Sequence, residues 1–287
     1  MLYLIVAVLL FGLVHPASKI ILDTGISLSY FCVLYIIIRL VILLPFLVTQ
    51  KKLNLNYKKL FLLFCLGGFG AGVQFFEFKA ISLGLNPGVV TFLVFSYPIW
   101  IIVAGLFANK KSKSTYINIL KVVCGILGIY LICIGGVNVF GESSLTAVSA
   151  PIIASVFMAS WIGLSNYLSK NNISSVTLSF FCDAFSLVIL VLTLKGSLIS
   201  EWQNALVWLE STKHLTLIVG YSIFVGLIPN MLFYLGNKKV PVLSVGLIMT
   251  LEPVLSVLYS SLIWPEKLGI SFLAGALLIL TANIKFK

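Results

Sequence analysis

The chain reads as a succession of long apolar runs separated by short polar links. Runs near 3–22, 29–49, 60–80, 87–108, 117–137, 147–168, 175–194, 215–236, 242–263 and 269–284 each have spanning or near-spanning length, since a bilayer core takes about 20 apolar residues per helix. The pattern predicts an all-α integral membrane protein with ten transmembrane helices. Two shifts relate its halves. The proline of Val94-Phe95-Ser96-Tyr97-Pro98 returns 155 residues later as Pro253, and that shift lays Phe92 to Leu106 over Leu247 to Ser261 without a gap. Tyr30-Phe31-Cys32 returns as Phe180-Phe181-Cys182 at a shift of 150. Five helices per half is an odd number, so the second half enters the membrane upside down. This predicts two inverted five-helix repeats, over 1–140 and 145–287.

The links sort by charge. Lys51, Lys52, Lys58, Lys59, Lys110, Lys111, Lys113, Lys170, Lys238, Lys239, Lys285 and Lys287 fall on one side if the termini share it, while Asp23, Glu142, Glu201, Glu210 and Glu266 mark the other. The excess of lysine places that side, with both termini, in the cytoplasm of a multi-pass plasma-membrane protein. The first run, which begins at Met1 with no basic segment before it, is expected to stay as a helix and not to be a cleaved leader. Between the seventh and eighth runs, Ile199, Trp202, Leu206 and Leu209 recur at helical spacing, which fits either a short helix on the outer interface or a plain loop.

Composition agrees: 60% of residues are hydrophobic, 9% charged, and the mean hydropathy is +1.15. The net charge of +11 does not point to nucleic acid, because the lysines sit in links and not on a solvated face. Cys32, Cys65, Cys124, Cys133 and Cys182 all fall within apolar runs with no C-x-x-C pair, which indicates neither disulfides nor zinc. His15 and His214 are too few for a metal site, and no nucleophile or carboxylate pair suited to catalysis stands out, so neither an enzyme nor a bound cofactor is expected. A channel would show rings of like charge or a repeated filter loop. The charges here are mixed and isolated. The partners expected are membrane lipid and a small-molecule substrate, and a homodimer remains open.

Candidate chemistry gathers at mid-depth. Glu252 precedes Pro253 at the centre of the run from Val242 to Ile263. A carboxylate there costs about 2.5–3.5 kcal/mol on insertion scales and should face protein or water, while Pro253 leaves the carbonyl of Met249 without its helical donor. Gly12, His15, Pro16 and Lys19 share one face of the first run, with a kink expected at the proline. His15 and Lys19 fit a cavity, or equally a satisfied core ring and a snorkelling lysine. Arg39 lies mid-span, where it should meet an internal acid or a substrate carboxylate. Gln74 is a candidate ligand, whereas Glu77, beside Lys79, reads as an outer-interface charge. Asp183, on a face with Ser179 and Ser186, fits either the cavity or an ion pair with Arg39. Asn230 and Tyr234 follow Pro229, which should break the eighth helix and free the carbonyl of Val225. Tyr97, Trp100 and Trp161 could wall a cavity for a flat or apolar group.

The chain resembles the drug/metabolite transporter superfamily, and within it the ten-helix EamA-type permeases, over nearly its whole length. The likeness rests on Gly12-Leu13-Val14-His15-Pro16-Ala17-Ser18-Lys19, Arg39, Trp161, Leu251-Glu252-Pro253, Pro265-Glu266-Lys267-Leu268 and Gly275. It departs where Lys111 stands at the first-half position matching Glu266. The resemblance implies a secondary transporter of small metabolites, commonly an exporter, with its site between the halves, and it ranks Trp161 above the other aromatics. Arg39 with Asp183 and Glu252 suits a zwitterion such as an amino acid, or another amine-bearing metabolite. The alternative is an exchanger of nucleotide-type metabolites, an adenosyl compound or a nucleotide sugar. Glu252 is either a proton carrier that is neutral in one access state and ionised in another, or a structural hydrogen-bonding group beside the proline.

Overall fold

The computed structural model describes residues 2–50, 55–97, 99–101, 103, 115–135, 145–171, 173–239, 248–249, 251–264 and 269–283. Pro98, Glu142, Glu266, Lys111 and the other lysines of the links 51–52 and 110–113 lie outside the described residues. The described chain is helical. Its elements are α1 (Leu2–Phe11), α2 (Val14–Leu22), α3 (Leu28–Val48), α4 (Tyr57–Ser82), α5 (Pro87–Val94), α6 (Thr115–Gly135), α7 (Leu145–Lys170) and α8 (Ser175–Thr193). They continue with α9 (Lys195–Ser200), α10 (Trp202–Leu209), α11 (Thr212–Gly220), a π-helical segment (Tyr221–Leu227), α12 (Ile228–Lys239), α13 (Leu251–Ile263) and α14 (Ile270–Asn283).

Six stretches among the described residues are long and apolar enough to cross a membrane: Leu2–Leu22, Leu28–Val48, Tyr57–Ser82, Leu145–Lys170, Ser175–Thr193 and Thr212–Gly236. The other four predicted runs carry shorter apolar helices, Pro87–Ile101, Val122–Ile132, Leu251–Ile263 and Ile270–Thr281. Helix starts follow side-chain capping. Ser27, Asn56 and Ser174 accept from the backbone N–H three residues on, at Tyr30, Lys59 and Thr177, and Asn86 accepts from Gly88 with Pro87 at the first helical position.

Prolines act earlier in the chain than expected. The first run breaks at Gly12–Leu13, not at Pro16. Pro16 has no N–H to give the Gly12 carbonyl and its ring crowds that carbonyl, so the disruption appears four residues upstream. Leu13 N–H bonds the Leu10 carbonyl at 3.0 Å, and regular bonding resumes with Ala17 N–H to the Leu13 carbonyl at 2.9 Å. In the eighth run Pro229 does not break the helix. The turns before it widen from Tyr221 to Leu227, with Ile228 N–H reaching the Ile223 carbonyl five residues back.

The helix α4 runs between α7 and α8; α1 packs on α12, α3 on α8, α5 on α13 and α6 on α14. Two crossings are close because a side chain is missing. A Cβ on Gly67 would lie 2.5 Å from the Phe185 Cβ, and Ser186 Oγ donates to the Gly67 carbonyl at 2.7 Å, tying α4 to α8. A Cβ on Gly128 would fall 2.8 Å from the Gly275 carbonyl oxygen, and one on Gly275 would fall 2.6 Å from the Gly128 carbonyl oxygen. The short helices α9 and α10 turn Ala205 and Trp208 inward and leave Ile199, Trp202 and Leu206 exposed, so the connection is helical and not a plain loop.

Candidate functional site

Helices α2, α3, α4, α7, α8, α12 and α13 and the π segment enclose a cavity of about 110 Å³. Of the ten residues singled out from sequence, His15, Arg39, Gln74, Trp161, Asp183, Asn230, Tyr234 and Glu252 line it. Tyr97 and Lys19 do not. Tyr97 is buried against Phe95 at 5.6 Å between ring centroids, and Lys19 pairs with Asp23 at 3.1 Å and lies 5.5 Å from the Trp264 ring centroid. Trp100 is also absent from the wall; its indole N–H donates to Ser155 Oγ at 2.6 Å. Ser186 holds the Gly67 carbonyl, while Ser179 and Met249 reach the cavity.

One residue is placed differently from its sequence reading. Glu77 is not an interface charge. It is 5% exposed, lines the cavity, and its Oε2 stands 3.9 Å from His15 Nε2. The sequence sets it on one face with Gly67, Gly70 and Gln74 but near a run's end, where a charge reads as an interface residue; α4 carries that face inward towards α2.

The polar groups form two centres. Arg39 Nη2 meets Asp183 Oδ1 at 2.9 Å, and Arg39 Nη1 donates to the Tyr35 hydroxyl at 2.5 Å. Buried charges require such pairing, and this one is 3% and 1% exposed on its two sides. At the second centre His15 Nδ1 lies 2.8 Å from Thr91 Oγ1, which also donates to the Pro87 carbonyl at 2.8 Å and meets Ser256 Oγ at 2.7 Å. Asn230 Nδ2 donates to the Gly226 carbonyl at 2.8 Å, so the side-chain amide holds the backbone just before Pro229. The walls are aromatic: Trp161 stacks on Phe233 at 6.1 Å and lies 5.9 Å from Tyr234. Phe31, Tyr35, Phe78 and Tyr221 pack together beside the arginine, with 4.8 Å between Phe31 and Phe78.

Eight buried polar side-chain atoms lack a hydrogen-bond partner among the described residues. Five belong to this cavity: His15 Nε2, Arg39 Nε, Gln74 Oε1, Asp183 Oδ2 and Glu252 Oε2. Unpartnered polar atoms are costly in an apolar interior, and here they concentrate around one space. No group of three or more His, Cys, Asp or Glu among the described residues is arranged to hold a metal ion.

The profile of the EamA-like transporter family matches residues 1–134 and 145–284. The chain belongs to the EamA-like transporter family. The transporter is therefore a multi-pass membrane protein that moves small solutes, in a family of carriers and not of enzymes. A search of curated proteins gave no match. One solved crystal structure is similar over 98% of this chain and 94% of its own, with a TM-score of 0.60 at 17% identity, a likeness of fold alone.

Proposed function

We propose that the transporter is a secondary active carrier, working as an exporter, for a small amine-bearing metabolite such as an amino acid. It works by alternating access around the cavity, between two inverted five-helix repeats spanning 1–140 and 145–287. In this reading ten helices cross the plasma membrane and both termini are cytoplasmic. The observation that carries the proposal is the cavity itself, where five unpartnered buried polar atoms and an aromatic wall face one space.

Packing supports the repeat. If the first five predicted helices are exchanged with the last five, the pair α1 with α12 maps onto α7 with α4, and the pairs α3 with α8, α5 with α13 and α6 with α14 map onto themselves. The approach of Gly128 and Gly275 is mutual, each backbone filling the place of the other's side chain with Ile279 and Ile132 beside it, so this crossing is locally symmetric.

Within the cavity, Arg39 Nε remains as a donor for a substrate carboxylate, since the Nη groups hold Tyr35 and Asp183. Gln74, Asn230 and Tyr234 offer polar contacts, and Trp161 a flat wall. Glu252, 5% exposed with a free Oε2, is the proton carrier. Thermal-shift screening of the purified carrier against amino acids, amines, nucleosides, adenosyl compounds and cationic drugs tests this, because a ligand that binds the native state stabilises it by mass action. Stabilisation by an amino acid or amine that Trp161→Ala abolishes is the expected result. A response confined to adenosyl compounds or nucleotide sugars would replace the amine-bearing substrate with a nucleotide-type one.

A further inference from the structure

The second polar centre has a geometry that calls for a particular group. Thr91 has one hydroxyl proton, and a carbonyl can only accept, so the 2.8 Å contact with the Pro87 carbonyl takes that proton. Towards His15 and Ser256 the Thr91 oxygen must then accept, which assigns the imidazole proton to Nδ1. His15 Nε2 is left as a bare acceptor, 98% buried and without a partner. It faces Glu77 Oε2 across 3.9 Å, too far for a hydrogen bond and with an acceptor on each side. A donor with several N–H bonds, set to one side of the line joining the two atoms, can reach both.

Charge points the same way. Among the residues lining the cavity the one permanent cation is Arg39, already paired with Asp183. Lys19 is held outside by Asp23, and Lys79 lies 5.6 Å from the Phe75 ring centroid without reaching the cavity. With Glu252 carrying a proton, Glu77 is the single carboxylate left without a counter-charge, which matches a monocation.

We infer that His15 Nε2 and Glu77 Oε2 form an ammonium subsite that receives the protonated amine of the cargo, separate from the Arg39–Asp183 centre. This rests on the reading of the cavity as the transport site. Thr91 acts as a positioning residue that sets the imidazole tautomer. The aromatic wall of Phe11, Trp161 and Phe233 bounds the same space, so the ligand class is a primary amine carrying a ring.

The test uses the full-length carrier in detergent with two probes of the same shape, 2-phenylethylamine and 2-phenylethanol, read by thermal shift. Wild type should be stabilised by the amine and not by the alcohol. Glu77→Gln should lose the amine response, and Thr91→Val, which keeps the shape and removes the hydroxyl that orients His15, should weaken it several-fold. Thr91→Val also serves if Glu77→Gln does not fold. Trp161→Ala should lose the response through the wall instead of the charge. An amine response unchanged in Glu77→Gln or in Thr91→Val, yet lost in Trp161→Ala, overturns the subsite and leaves the cavity as the binding place. A response unaffected by all three variants overturns both. Equal stabilisation by amine and alcohol, or by neither, also overturns the subsite, leaving the gap to a bridging water.

Discussion

Arg39 and Asp183, 144 residues apart in the chain, meet through Nη2 and Oδ1 at 2.9 Å and hold α3 against α8 in the core of the bundle. Removing one partner of a buried pair strands the other charge, at a cost of about 3–5 kcal/mol. Asp183→Ala should therefore lower the unfolding free energy by that amount. Asp183→Leu combined with Arg39→Met should recover most of it, as measured by denaturant unfolding in detergent.

Arg39→Lys keeps the charge and loses the planar fork. A lysine cannot bond Tyr35 and Asp183 together while keeping a third donor free. Substrate affinity should fall about tenfold, or about 1.4 kcal/mol, in a binding titration, with little change in expression. Unchanged affinity would remove Arg39 from the substrate contacts.

Gly67 is the tightest point between α4 and α8. A Cβ there would meet the Phe185 Cβ at 2.5 Å and the Cys182 carbonyl oxygen at 3.0 Å. Two of these atoms are fixed to backbone, so Gly67→Ala must push the helices apart, at about 1–3 kcal/mol. Gly163, with nothing within 4 Å of its added Cβ, is the control; Gly163→Ala should be neutral or slightly stabilising in the same thermal melt.

Glu252→Gln keeps the shape and hydrogen bonding of a protonated carboxyl. In proteoliposomes this variant should still exchange substrate but lose accumulation driven by a pH gradient. Gradient-driven accumulation at the wild-type level would show that Glu252 is not the proton carrier.

Topology is open to chemical labelling. A cysteine placed at Glu142 should react with an impermeant thiol reagent in intact cells, and one at Lys111 should not. The reverse pattern would invert the orientation read from the lysine-rich links.

Span positions were legible in the sequence; which side chains reach the cavity was legible only in part. The apolar runs located six spanning-length helices and four shorter ones among the described residues, and Arg39, Asp183 and Glu252, as mid-run charges, had to turn inward because lipid offers them no partner. Glu77 was set on the right face, with Gly67, Gly70 and Gln74, but it stands near a run's end beside Lys79, where a charge is cheap and reads as an interface residue. Tyr97 and Trp100 failed as wall residues for a different reason: an aromatic in an apolar helix carries no sign of which neighbour it meets. The proline positions were plain, but a proline disturbs the turn before it, so the break in the first run lies upstream of Pro16 and the eighth run widens before Pro229 without breaking. Thr91, which gathers three groups at one oxygen, carried no signal at all, being one hydroxyl in a run of valine, phenylalanine and leucine.

The widened turns from Tyr221 to Leu227 make the eighth helix sensitive to its length more than to its composition. A π segment holds about one residue more than α-helical winding would use, and each residue advances a helix by about 100°. Deleting a single residue there would let the winding relax to α and leave Asn230, Phe233 and Tyr234 facing the cavity, whereas inserting one would swing all three away together, although every one of those side chains is still encoded. Point substitutions at exposed sites such as Phe224 should be absorbed, while a one-codon insertion beside it should erase the site.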